Sequence, residues 1–599
     1  MRGLKSAPRT TLLDLTLLLC VALFVFRGWF VPGIIVNGEW YYIASKEFML
    51  QRFSAPNAWN SLFGGQYTNS GNFLVGLSSY YIWLAQGALV KLLWVGFDTT
   101  ERVLWFWPVA LGSPLFMYFF TWTLFRNRVA SLLSAVVYSV NAFLIAESVM
   151  GHVWVSYALA PLTMGLLVVG LRRDDLRFTT ASSLSLVLSV SYDMRFSYLT
   201  GMFAVGYLFF DSCYQALTRA DRRPLTRSLL HSAVFLATVI GCLMFWLLPT
   251  FLVRAPSISP IVAQSSWLKA LSANKLLDAM LLMYNIFWLE DVFPSRILFL
   301  LWIIVPVLSF APVLSSRERN FKNWVFLATI ALVSFFLTKG TNAPAGEVNS
   351  WLWQNFFGFR AWRNPLNFLP LSFLSLSPLF GFGATTVVSL SCRGVKRRTI
   401  RQSCRIILTG AILTLVLIPY NQLITYSFPW PGTLVNVDRH AMPKGQVELL
   451  DWISNNPNTT VNRIWYFVPL QGGMTINDEV RQAVHGAGPW GLGGGTRPFS
   501  LYAMFVRESV LEGATRSAGS LIGIANVMYV VPCVQALYDP FYGDYPTSWP
   551  SPDVQVRMLD AQEDLTQIKV DDDLLIYRSD AVLPRMFVTT KNIMIVGSL

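Results

Sequence analysis

Apolar runs of about twenty residues, broken by short polar intervals, fill the first 425 residues and then stop. The runs predict spans at 11–32, 103–125, 129–148, 153–171, 178–195, 196–213, 229–252, 297–315, 323–338, 367–390 and 406–425, eleven in all. Alternate intervals are basic: Arg126 and Arg128; Arg172, Arg173 and Arg177; Arg219, Arg222, Arg223 and Arg227; Arg317, Arg319 and Lys322; and the stretch from Arg393 to Arg405. Basic residues concentrate in cytoplasmic loops, so this alternation predicts a cytoplasmic N-terminus and, after eleven crossings, an outside C-terminus. The first run follows Arg2, Lys5 and Arg9 but lacks a small-residue cleavage site soon after, which makes it a retained span.

One run fits less simply. Phe73 to Phe97 is apolar enough to cross, yet a crossing there would invert every later basic loop. It is therefore expected to be a re-entrant or surface-lying helix within a long first outer loop, 33–102, shielded by protein or a cavity. The spans 178–195 and 196–213 meet at Tyr192-Asp193-Met194-Arg195 almost without a loop, which puts an acid and a base together at the outer edge. Two further outer segments are long, Val253 to Arg296 with Glu290 and Asp291, and Lys339 to Phe368.

After about residue 428, Pro, Gly, Asp and Asn rise and no further span appears. Helical spacing at 446–454 and strand-like stretches at 463–468, 527–531, 574–577 and 586–589 predict a small α/β module. The expected organisation is a transmembrane domain, 1–428, followed by an extracytoplasmic α/β domain, 429–599. Asn458-Thr459-Thr460 is a glycosylation sequon, usable only outside. The strand-like ending KNIMIVGSL suggests that the chain continues beyond residue 599 or frays there.

Composition agrees with a polytopic α-helical membrane protein. Of 599 residues 54% are hydrophobic and 13% charged, and the mean hydropathy is +0.47. The net charge of +13 raises nucleic acid as a partner, but the basic residues sit at span ends rather than in a stripe on a soluble face, so no nucleic acid is expected. The six cysteines are scattered, and only Cys533 falls in a segment placed outside, so neither a disulfide framework nor metal-type spacing is expected.

Candidate chemistry gathers in the outer segments. The stretch Gly33–Asn72 holds Glu39, Lys46 and Glu47 among Trp40, Tyr41, Tyr42, Phe48, Phe53, Trp59 and Phe63. So many aromatics favour packing over disorder, as a folded loop presenting Glu39 to a cavity or as an interfacial belt. Glu147 and His152 flank a tight outer turn, as site groups or as a wetted turn. Asp193 and Arg195 either serve the site or simply pair with each other. Arg360 and Arg363 precede Pro365 at a span entrance, where guanidinium forks suit phosphate oxygens or anchor the helix by snorkelling. No Walker motif, GxSxG elbow, HExxH, CxxC or dinucleotide fingerprint occurs, which leaves nucleotide-driven transport and hydrolase chemistry without support.

A long first outer loop with an acid just after span one resembles the C-type glycosyltransferases, membrane enzymes that use lipid-linked sugars. The stretches GHVWVSYALAPL (Gly151–Leu162) and FRAWRNPLNF (Phe359–Phe368) resemble the arabinofuranosyltransferase-like branch. That family usually carries Asp as the loop acid, commonly after Gly; here Gly38-Glu39 stands in its place. The resemblance implies inverting transfer of a sugar from a polyprenyl-phosphate donor to the hydroxyl of a glycan, lipid or protein acceptor at the plasma membrane. Such a reaction needs a carboxylate to take the proton and cations to hold the departing phosphate. Glu39 is the candidate base, with Glu47 and Asp193 behind it and Lys46 as a further candidate. Arg363 and Arg360 are the candidate phosphate ligands, with Arg195 and His152 as further phosphate or sugar contacts. A divalent metal is compatible with this chemistry, but no spacing identifies its ligands. The competing class is a non-enzymatic lipid or glycan transporter or assembly scaffold on the same fold, to which the Glu-for-Asp exchange gives weight. Against a transporter, no clear repeat is visible and the polar candidates cluster at the outer edge rather than mid-membrane.

Overall fold

The computed structural model describes residues 8–30, 78, 80–146, 151–218, 223–252, 268–269, 272–283, 300–312, 321–356, 359, 362, 364–420, 448–449, 452, 455–456, 463–467, 498–524, 527–532, 550–571 and 574–583. Contacts divide the chain into two compact units. The first is helical. Its longer helices are α1 (Pro8–Val25), α2 (Tyr80–Lys91), α3 (Trp107–Phe125), α4 (Arg128–Ser139), α5 (Gly151–Arg173), α6 (Leu176–Tyr192), α7 (Met194–Thr218), α8 (Arg223–Leu252), α9 (Ile304–Phe310), α10 (Phe321–Thr338), α11 (Gly346–Asn355), α12 (Leu369–Ser391) and α13 (Arg398–Leu417). The described residues of the predicted spans are largely helical, and α2 lies within the run expected to lie on the surface.

Among the described residues six helical stretches are long and apolar enough to cross a membrane by themselves: Thr99–Phe125, Val153–Arg173, Leu225–Pro249, Phe321–Thr338, Pro365–Ser391 and Arg398–Tyr420. The other predicted segments are shorter or more polar, and α6 shows why. Its Ser182, Ser183, Ser185, Ser189 and Ser191 are all buried. Ser182 Oγ donates to Thr163 O at 2.7 Å, Ser183 Oγ to Thr179 O at 2.9 Å, and Ser156 Oγ of α5 to Ser189 O at 2.8 Å. Hydroxyls satisfied in this way lower hydropathy without exposing polarity, and they bring helices close together.

The core of the unit is α3, α5 and α6 side by side, with α12 packed against α4, α9 and α10. Glycine sets the closest approach. A Cβ on Gly381 of α12 would stand 2.1 Å from Ala130 O, and one on Gly383 would stand 1.7 Å from Leu308 O. The basic ends of the helices cap one another. Arg172 donates to the carbonyls of Thr123 and Leu124, and Arg227 Nε lies 2.7 Å from Asp174 Oδ1. Among the described residues Cys20, Cys213, Cys242, Cys392 and Cys404 are free thiols.

The second unit is a four-stranded sheet of β1 (Arg463–Tyr466), β2 (Val527–Val531), β3 (Leu565–Asp571) and β4 (Leu574–Ser579) in the order β1-β2-β4-β3. β1 and β2 run parallel, and the other pairs are antiparallel. The helices Pro498–Leu511, Ala518–Gly523 and Pro552–Asp560 accompany it. Trp465, Phe467, Val527, Val530 and Tyr577 pack with Val506, Val510, Ile522 and Leu559 in one cluster. Leu449, Tyr529, Val531, Leu574 and Ile576 form a second one. The strand-like stretch 586–589 lies outside the described residues.

Candidate functional site

The site is built where four chain segments meet at one end of the helical unit: the end of α4, the start of α5, the α6–α7 turn and the approach to α12. α4 stops at Val140, whose backbone is extended. Asn141 then turns the chain; its Nδ2 donates to Tyr138 O at 2.6 Å and to Tyr157 Oη at 3.0 Å, while its Oδ1 accepts from Leu144 N at 3.1 Å. Tyr138 and Tyr157 stack with centroids 4.0 Å apart, and each hydroxyl donates to the other's backbone carbonyl. On this buried pair rest Phe143 and Phe196, 5.1 and 6.0 Å from the Tyr157 ring.

Asp193 breaks the helix between α6 and α7 with extended φ and ψ of −145° and 114°. Its Oδ1 accepts the Phe196 N–H at 2.8 Å, the N-capping role that aspartate fills well. Its Oδ2 accepts from Arg195 Nη2 at 2.8 Å and Nε at 3.1 Å. Both carboxylate oxygens are thus engaged, and the side chain is only 5% exposed against 31% for Arg195. The Asp193 carboxylate thus holds both the start of α7 and the Arg195 guanidinium. Tyr192, just before it, donates to Leu104 O at 2.7 Å and meets Trp105 edge to face at 4.9 Å, which ties the turn to the start of α3.

Asp193 and Arg195 open onto a recess of about 300 Å³ including its mouth, lined also by Phe143, Val153, Phe196, Trp362, Asn367 and Pro370. Trp362 is 2% exposed, held by Tyr198 at 4.9 Å, Phe359 at 5.9 Å and Phe368 at 5.7 Å. Asn364 caps the short helix Pro365–Phe368, accepting from Leu366 N at 3.0 Å, and so sets Asn367 on the recess wall. Next to it the 339–349 segment is tightly built. Gly340 has φ 59°, and a Cβ there would lie 2.7 Å from Pro365 Cγ. Burial pushes the Lys339 ammonium below the usual lysine range; it donates to Asn342 O at 2.7 Å.

Of the sequence-derived candidates, the described structure brings Asp193 and Arg195 together. It places His152 in the first turn of α5, next to Val153 of the recess wall. Glu39, Lys46, Glu47, Glu147, Arg360 and Arg363 lie outside the described residues. Trp362 and Asn367 were not singled out from the sequence, although both belong to the FRAWRNPLNF stretch that carries the resemblance. Among the described residues no group of three His, Cys, Asp or Glu could hold a metal ion.

No protein-family model matches the chain, and no curated protein matches it. Solved structures do. The chain is similar to the archaeal oligosaccharyltransferase AglB from Archaeoglobus fulgidus in complex with an inhibitory peptide and a dolichol-phosphate, with a TM-score of 0.51 and 14% identity over 87% of this chain and 69% of that one. The same oligosaccharyltransferase tethered to an acceptor peptide gives a TM-score of 0.49 at 14% identity, covering 88% of this chain and 69% of that one. Its apo form gives 0.48 at 15%, over 87% and 69%. The chain shares its fold with the first of these structures.

Proposed function

We propose that the chain is an inverting membrane glycosyltransferase that moves a sugar from a polyprenyl-phosphate donor to a hydroxyl of an extracytoplasmic glycan, lipid or protein. The observation that carries this reading is the likeness to AglB, whose complex holds a dolichol-phosphate. The two quoted motifs favour the arabinofuranosyltransferase-like branch within that fold, and the basic loops favour a cytoplasmic N-terminus in the plasma membrane with residues 429–599 outside. The acceptor oxygen attacks the anomeric carbon as the bond from that carbon to the phosphate oxygen breaks. The electron pair leaves with the polyprenyl phosphate, and the acceptor proton passes to Glu39. Arg360 and Arg363 hold the phosphate as its charge grows, with Lys46 and Glu47 nearby in sequence to the base. Arg195 and His152 contact the donor beside it. The lipid supplies the activation, so the scheme needs no nucleotide.

The Glu39 position, where resembling enzymes carry Asp, favours one second reading, a scaffold or transporter that binds the donor without turnover. Release of free polyprenyl phosphate by purified protein, measured over a panel of synthetic donors and acceptors, separates the two. Arg363→Lys keeps a charge but loses the two-pronged contact, so it is expected to lower transfer about ten- to hundredfold, close to Arg363→Ala. Full activity in Arg363→Lys would reduce Arg363 to a point charge, and donor binding without turnover across the panel would favour the scaffold.

A further inference from the structure

We propose that the turn between α12 and α13 binds the headgroups of anionic phospholipids at the membrane surface, through Arg393, Lys396, Arg397 and Arg398. The proposal rests on α12 and α13 crossing the membrane and is independent of the donor chemistry.

Unanswered charge singles this turn out. Six cations, Arg393, Lys396, Arg397, Arg398, Arg401 and Arg405, fall within thirteen residues, and the chain holds no Asp or Glu between Glu347 and Asp438. Several other basic helix ends are answered from within the protein. Arg128 pairs with Asp14, Arg227 with Asp174 and Lys322 with Asp211, and Arg172 donates to the carbonyls of Thr123 and Leu124. At the α12–α13 turn only the Arg401 side chain is engaged, its Nε donating to Val395 O at 2.8 Å. Arg393, Lys396, Arg397, Arg398 and Arg405 are exposed, and their charged groups make no hydrogen bond or ion pair among the described residues. Like charges so close repel one another, and an anionic surface relieves that repulsion.

Position and shape favour a lipid over a free anion. The turn joins two stretches long and apolar enough to cross a membrane, Pro365–Ser391 and Arg398–Tyr420, so it lies where headgroups meet water. Arg398, Arg401 and Arg405 recur at helical spacing along α13, over about 10 Å of its length. Beside them Ile400, Ile406 and Ile407 are 51%, 72% and 69% exposed, an apolar surface that acyl chains would cover. Free phosphate would answer the cations and leave the isoleucines bare; a phospholipid answers both. The turn is also shaped in advance. Cys392 Sγ lies 3.1 Å from Cys404 Sγ of α13, and Val395 N donates to Cys392 O at 3.3 Å. Cations on an ordered turn lose less freedom on binding than those on a loose tail.

The experiment measures binding of fluorescently tailed phosphatidylglycerol and phosphatidylcholine to the full-length protein in detergent, by polarisation. Wild type is expected to bind phosphatidylglycerol about tenfold more tightly. One Lys or Arg near an anionic surface is worth roughly fivefold in affinity. Lys396→Gln/Arg398→Gln is therefore expected to lower the preference about five- to tenfold and leave phosphatidylcholine unchanged, which also shows that the variant folds. If the double variant does not fold, Lys396→Gln and Arg398→Gln are measured singly, each expected to lower the preference about two- to fivefold. Arg173→Gln removes an exposed cation that sits beside Asp174 and Asp175, and should leave the preference unchanged. Inorganic phosphate at matched ionic strength should not displace the lipid. Equal binding of the two lipids by wild type, or an unchanged preference in the turn variants, would overturn the proposal. A loss in Arg173→Gln as large as in the double variant would do the same, because the preference would then belong to basic ends in general. Displacement by inorganic phosphate would make the turn a phosphate site and overturn the lipid assignment.

Discussion

Two aspartate–arginine pairs stand at opposite ends of the helical unit, and they do different things. At one end Asp14 of α1, only 2% exposed, accepts from Tyr118 Oη of α3 at 2.8 Å and Arg128 Nε of α4 at 2.5 Å. Asp14 lies more than a hundred residues from both partners, and the cluster joins three helices. At the other end Asp193 and Arg195 are two positions apart, and their bond lies within the turn between α6 and α7. A long-range pair around a buried carboxylate stabilises the packing, because removing one partner strands the other away from water. A local pair on a recess wall fixes a side-chain direction instead. The same two residue types thus tie helices together at one end and set a side-chain direction beside a recess at the other.

Mutations can break or sharpen this contrast. Arg128→Met is expected to have the largest effect on folding, because Asp14 would keep only the Tyr118 hydroxyl. The expected cost is about 2–3 kcal/mol, below the roughly 3–5 kcal/mol of a fully buried pair since Arg128 is 38% exposed. Denaturant unfolding in detergent measures it, and donor affinity in the fraction that stays folded should be unchanged. Asp193→Ala removes a helix cap as well as the ion pair, and should cost about 1 kcal/mol in the same unfolding measurement. Asp193→Asn keeps an acceptor for the Phe196 N–H and should change stability least, by less than about 0.5 kcal/mol. A large stability loss in Asp193→Asn, or none in Arg128→Met, would erase the distinction.

Much of this arrangement is legible in the chain itself, and the rest is hidden for identifiable reasons. Long apolar runs marked α3, α5, α10 and α12 because lipid and core both demand them. The tight Tyr192–Arg195 turn announced an acid and a base at one edge, and the pairing weighed from the sequence is the one found. Strands at 463–468, 527–531 and 574–577 followed from β-branched and aromatic runs, and β1, β2 and β4 occupy them. β3 did not stand out, since Leu565–Asp571 reads LTQIKVD, a half-polar strand whose place comes from its pairing with β4. Trp362 and Asn367 could be quoted as part of a motif but not assigned. How the indole packs depends on Tyr198, more than 160 residues earlier in the chain, as well as on Phe359 and Phe368 of its own stretch.

The most direct test of the account is sugar transfer from a synthetic polyprenyl-phosphate donor by purified Glu39→Gln, measured beside donor binding. Glutamine keeps the size and hydrogen bonding of glutamate but cannot take a proton. Transfer should therefore fall about 10²–10⁴-fold while donor binding persists, and Glu39→Asp should be milder. Wild-type rates in Glu39→Gln would remove Glu39 as the base and contradict the proposed mechanism.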